Sequence, residues 1–268
     1  MKRPYIERPV LTYRNIVAIR EIANEYDYPK NTEGMIWGIP HKYDNPLDRE
    51  ISALCCSWIY DGTKHSLDAA LEMDSWFKGS PSEFIIGKKF TFWIMQQEQD
   101  LQVYNAVTIR HCYYLFAWMK DFYSKFKSIC AMIDTESDLI PYEQMQKIIG
   151  GIDAFNGKST NSTGRINLFL FMMVHCFDQI NLDASQLRPP LFEHNILPSC
   201  RALGILTKKD KKKVWVERVY EHLLWFSEEN PMTYWVGIAA YNRYLKERPI
   251  RSKKFASMKL KRYKYRKK

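Results

Sequence analysis

The stretch "NPLDREISALCCSWIY", residues 45 to 60, opens like a helix. Asn45 is a residue type that caps free backbone amides, and Pro46 suits the first helical position, where its fixed φ fits and its missing amide is not needed. Asp48 and Glu50 follow in the first turns, where negative charge meets the positive end of the helix dipole. The stretch therefore predicts a helix, and its neighbours repeat the signal. "YRNIVAIREIANEY" places Ile16, Ile19, Ile22 and Ala23 on one face at helical spacing and ends before Pro29. Residues 107–126, 162–177 and 211–227 also read as helices, and "ENPMTYWVGIAAYNRYL" uses the same Asn–Pro start at Asn230 and Pro231. "KGSPSEFIIGKKFTF", around residues 79 to 92, reads instead as a connector of mixed character with room for a short strand. No strand-like alternation is sustained and no repeat is present, so the class is all-α: one helical body over residues 1–247 and a tail over 248–268.

The composition bounds what this body can be. With 268 residues, 46% hydrophobic and 26% charged, it is an ordinary globular chain, and 15% aromatics favour a large, stiff core. The longest apolar run, Leu168 to Val174, falls far short of the roughly 18 to 20 residues that span a bilayer, and "MKRPYIERPV" lacks the apolar segment of a signal peptide. A cytoplasmic protein without a membrane partner is expected. The six cysteines show no CxxC spacing. His111 with Cys112 and His175 with Cys176 are adjacent pairs whose side chains diverge by about 100° on a helix, so neither a metal nor a cofactor is expected.

Net charge becomes informative once it is located. Residues 248–268 carry eleven Lys or Arg and no acid, so removing them from the total of +10 leaves the body near −1. Lys261, Arg262 and Lys264 interleave with Tyr263 and Tyr265, a pattern suited to phosphates with some base stacking, although a solvated terminus would look the same. A second cluster, "TKKDKKK" at residues 207–213, holds Lys208, Lys209 and Lys211 among its five lysines. A third feature is "GGIDAFNGKSTNSTGRINLFLFMMV", in which Lys158, Ser162, Gly164 and Arg165 precede a buried helix and could hold an anion at its start. It has neither the GxxxxGK spacing nor the preceding strand of a P-loop, and a linker between two helical halves is the plain alternative.

Four blocks, "IPHKYDNPLDREISALCCSWIYDG", "STGRINLFLFMMVH", "PPLFEHNILPSCRALGIL" and "NPMTYWVGIAAYN", resemble in order the blocks of an uncharacterised bacterial conserved family, a domain of unknown function, over roughly residues 30 to 245. That family is in turn distantly similar to the helix-hairpin-helix DNA glycosylase superfamily, which implies a two-lobed all-α fold and a nucleic-acid partner, DNA rather than RNA. Laid ungapped on the third block, Arg201, Leu203 and Gly204 match, Glu193 takes the place of the acid that supports base excision, and Asn195 takes that of a histidine. A shift by one residue would match His194 instead and put Phe192 at the acid position. Ile166 and Asn167 occupy the area where bifunctional members carry a lysine nucleophile, so the implied activity is monofunctional.

Glu193 then has two readings. A fixed carboxylate can stabilise the oxocarbenium character that builds when an N-glycosidic bond breaks, and can hold the attacking water, after the base has been flipped out of its stack. Near a helix start it can equally cap amides. His41, Asp48 and Glu50 divide the same way, between a pocket shared with Glu193, His194 and Asn195 and a role at the terminus of the helix begun by Asn45. The sequence thus leads to a DNA-binding, glycosylase-like protein with Glu193 and Asp48 as catalytic candidates. The alternative is a non-catalytic nucleic-acid or ribonucleoprotein binder.

Overall fold

The computed structural model describes residues 11, 13–25, 35–87, 109–156, 160–182, 186–192, 196–227 and 231–247. These contain eleven α-helices and no strand, as the all-α reading expects. They fall into two compact units: residues 32–194 form one, and residues 1–31 with 195–268 form the other. The glycine-rich stretch at 150–164 lies within the first of these, so it does not link two halves.

The contiguous unit holds seven of the helices: α2 (Gly38–His41), α3 (Pro46–Ile59), α4 (Lys64–Trp76), α5 (Pro81–Ile86), α6 (Ile109–Lys125), α7 (Pro141–Ile149) and α8 (Thr160–Phe171). Helix α3 organises them, packing on α2, α4, α5 and α8. Its start is the one read from sequence: Asn45 Oδ1 accepts the Leu47 amide at 2.8 Å, with Pro46 at the first position. Residues 50 to 57 are all buried, so the helix has no water-facing stripe, as expected of one enclosed on every side. The supposed connector is helix α5. Ser80 caps it by accepting the Glu83 amide at 3.4 Å, Pro81 opens it, and Phe84 forms a triangle of rings with Phe77 and Phe116 at 5.3 and 5.6 Å. Six residues are too few for periodicity to reveal. Residues 162–177 also differ from expectation. The α-helix gives way after Phe171 to a π-helix, Met172–Cys176, in which the Phe177 amide reaches the Met172 carbonyl at 2.9 Å.

The other unit is built from both ends of the chain: α1 (Tyr13–Glu25), α9 (Ile196–Ala202), α10 (Trp215–Phe226) and α11 (Pro231–Glu247). Helix α11 packs on α1, α9 and α10. Its approach to α1 depends on Gly237, where a Cβ would sit 2.4 Å from the Ile19 carbonyl oxygen and 3.3 Å from the Ala23 Cβ. Helix α9 closes with Gly204 at φ +77°, while the Ile205 amide reaches back to the Cys200 carbonyl at 2.9 Å.

All six cysteines are buried, and burial pushes their thiols up, that of Cys112 to about 12. They pack as small apolar groups rather than as nucleophiles. Among the described residues no three of His, Cys, Asp or Glu are grouped to hold a metal ion, and no helix is long and apolar enough to cross a membrane.

Candidate functional site

The acids of α3 are committed to backbone. Asp48 is 7% exposed and its Oδ1 accepts the Ser82 amide at 2.7 Å, so it serves the first turn of α5 rather than of its own helix. Glu50, 1% exposed, accepts from Tyr123 Oη (2.7 Å), Ser128 Oγ (2.5 Å), and the Ile129 (2.7 Å) and Cys130 (3.1 Å) amides. That set fills its two oxygens and fixes the turn after α6; burial and the Glu50 charge hold the Tyr123 phenol well above its ordinary range. His41 is exposed and its ring lies parallel to that of Phe177 at 6.3 Å, while the Arg49 guanidinium lies 5.3 Å from the same ring and donates from Nε and Nη2 to the Tyr43 carbonyl (3.0 and 2.8 Å). A third acid went unnoticed in the sequence: Asp74, buried on α4, accepts from Tyr43 Oη at 2.7 Å and pairs with Lys42.

The glycine-rich helix start divides differently. Ser162 and Gly164 are buried, and Gly164 is there for contact: a Cβ would meet the Leu191 carbonyl oxygen at 2.3 Å and the Phe192 ring at 3.2 Å. Phe192 packs edge-on against Tyr60 at 5.2 Å. Residues 191 and 192 are thus pressed onto the first turns of α8, and the side chain that follows Gly164 is held beside them. Arg165 is largely buried, with Nε donating to the Tyr60 carbonyl at 3.3 Å. Burial lowers its pKa, and Asp61 offsets this only in part. Lys158, Glu193, His194 and Asn195 lie outside the described residues, as do Lys261, Arg262 and Lys264 of the tail.

The lysine cluster is an ordered turn. Thr207 donates its amide and hydroxyl to Asp210 Oδ2 at 2.6 and 2.8 Å, and Lys209 donates its amide to Thr207 Oγ1 at 3.2 Å. This reciprocal bonding follows from "TKKD", which has the Ser/Thr-x-x-acid spacing of a capping box. The Thr207 amide, then its hydroxyl, hold the Asp210 carboxyl below its usual range. The Asp210 carbonyl in turn accepts from Trp215 Nε1 at 3.0 Å, tying the turn to the first residue of α10. The Arg201 guanidinium and the Lys212 ammonium lie 5.4 and 5.8 Å from the centre of the Trp215 ring. Lys208, Lys209, Lys211, Lys212 and Lys213 are all exposed. The one acid of the turn is bonded inside it, so five exposed lysines stand on a backbone held in place. Sequence reading singled out Lys208, Lys209 and Lys211 but passed over Arg201 and Lys212, whose signal is the tryptophan they share.

The chain belongs to a family described as protein of unknown function (DUF2400), whose model matches residues 37–240. This is the class of protein that the block resemblance implied, and nothing in the match links it to the DNA glycosylases. No curated protein and no solved structure matches the chain.

Proposed function

We propose that the protein binds nucleic acid through the turn at residues 207–213. The observation that carries this reading is the turn itself: five exposed lysines on a backbone closed by Thr207, Asp210 and Trp215. Ordered cations near a polyanion release condensed counterions without first losing backbone freedom, so binding gains from both charge and pre-organisation. The basic residues at 248–268 add charge of the same sign. DNA is the preferred partner on the block resemblance described above, and base excision is a finer proposal that rests on Glu193 alone.

The experiment is a salt titration of binding to a duplex oligonucleotide. Replacing Lys208, Lys209 and Lys211 together with Gln is expected to flatten the slope of log K against log[salt] by up to about 2.7, at roughly 0.9 for each phosphate that is no longer neutralised. An unchanged slope would overturn the reading. Glu193→Gln is expected to leave that slope alone; with oligonucleotides carrying damaged bases, release of free base that survives this substitution would remove Glu193 from any excision.

A further inference from the structure

We propose that Arg165 is the receptor for a phosphoryl group. The inference starts from what the guanidinium lacks. Taking an arginine out of water costs several kcal/mol unless a counter-charge and hydrogen bonds make up the loss. Arg165 is largely buried, yet among the described residues it has one hydrogen bond, from Nε to a neutral carbonyl, and no carboxylate within ion-pairing distance. Asp61 acts on it from farther away, and its Oδ1 accepts from both the amide and the hydroxyl of Thr63 at 2.9 and 2.7 Å. Among the described residues one of the five N–H groups of the side chain is used, and the residue keeps part of its surface open to solvent.

The position is rigid as well as under-compensated. Tyr60, whose carbonyl holds Nε, is the residue that ends α3, and its ring packs on Phe192. The Leu191 carbonyl bears directly on Gly164, which seats the start of α8 against residues 191 and 192. With Nε tied down, the two terminal amino groups remain as a fork, the end-on geometry that grips two oxygens of one phosphate. A structural arginine in this setting would be expected to meet Asp61 directly. Among the described residues this one is held short of a partner, which fits a ligand that arrives from outside.

That the phosphoryl group belongs to a nucleic acid rests on the reading proposed above; inorganic phosphate would present the same oxygens. The test uses the full chain, Arg165→Gln and Arg165→Lys, with two probes. In thermal melts, inorganic phosphate is compared with chloride at equal ionic strength. At ten times its Kd, phosphate should shift the folding equilibrium of the wild type about 11-fold towards the folded state. Arg165→Gln should lose that shift, and in chloride it should melt no lower than the wild type, because among the described residues it gives up a single hydrogen bond to a neutral carbonyl. Arg165→Lys should keep part of the shift. In oligonucleotide titrations, Arg165→Gln should weaken binding while the lysine-turn variant flattens the salt slope. A phosphate shift of equal size in wild type and Arg165→Gln overturns the proposal, and so does an Arg165→Gln protein that melts well below the wild type in chloride and binds oligonucleotide equally well. An Arg165-dependent phosphate shift with no oligonucleotide binding by the wild type supports the receptor, assigns it to free phosphate, and overturns the nucleic-acid reading instead.

Discussion

Glu50, buried, and Arg165, partly buried, are both charged groups within the same unit, and the chain treats them in opposite ways. Glu50 receives four hydrogen bonds, two of them from backbone amides, and has little left to offer a ligand. Among the described residues Arg165 donates one hydrogen bond, to a carbonyl. A buried charge that is fully matched holds a fold together, whereas one left unmatched lowers stability and is kept for something else. The contrast separates side chains that the sequence had grouped simply as charged residues at helix starts.

The largest way to break the comparison is to remove the matched charge. Glu50→Ala leaves the Ile129 and Cys130 amides buried without a partner, and at about 1 to 3 kcal/mol for each group the loss should be on the order of 4 kcal/mol. Chemical denaturation should show it as a lower midpoint. A loss under about 1 kcal/mol would mean that water replaces the carboxylate, and the distinction between the two charges would weaken.

An intermediate effect is expected from Gly164→Ala, which acts on the frame that holds Arg165. Alanine favours a helix over glycine by about 1 kcal/mol, so a neutral site would be stabilised. Here the Cβ would meet the Leu191 carbonyl oxygen at 2.3 Å, and the movement this forces should cost about 1 to 3 kcal/mol and reverse the sign. The same variant should weaken the phosphate response of Arg165. A stabilised variant with an intact response would show that the frame is looser than drawn.

The smallest effect sharpens the contrast in the other unit. His222, buried on α10, has Nδ1 2.7 Å from the Arg218 carbonyl, and its pKa is lowered chiefly by burial. The unfolded chain therefore binds a proton near pH 6.5 that the folded chain resists, so stability should fall as pH drops through about 6.5 towards the lower folded value. Melting curves between pH 7.5 and 5 should show a fall of at most a few degrees that is reduced in His222→Phe. An equal fall in both proteins would assign the pH dependence to other groups.

Much of the fold was legible because its signals are local. Asn45–Pro46 announced α3, and Ile16, Ile19 and Ile22 announced α1, each from neighbouring residues alone. Helix α5 and the π-helix at Met172–Cys176 were not legible. The first is too short to show a period, and the second differs from an α-helix by one hydrogen-bond register that side-chain pattern does not encode. The site was legible only in its charges. Sequence placed Lys208, Lys209 and Lys211 together, but the closure of their turn by Asp210 and Trp215 is a matter of side-chain geometry. The partners of Asp48 and Glu50 lie 34 and 73 to 80 residues away, beyond any motif, which is why both looked available when neither oxygen set is idle.

The contact at Gly237 also bears on the order in which the chain can fold. Ile19 leaves the ribosome early and its partner on α11 more than two hundred residues later. At about 5 to 20 residues per second, α1 waits on the order of 10 to 40 seconds for the surface it will cover. Residues 32–194 are contiguous and can fold in that interval, so an amphipathic helix stands uncovered until α11 has been made. During that time α1 exposes the face that α11 later buries.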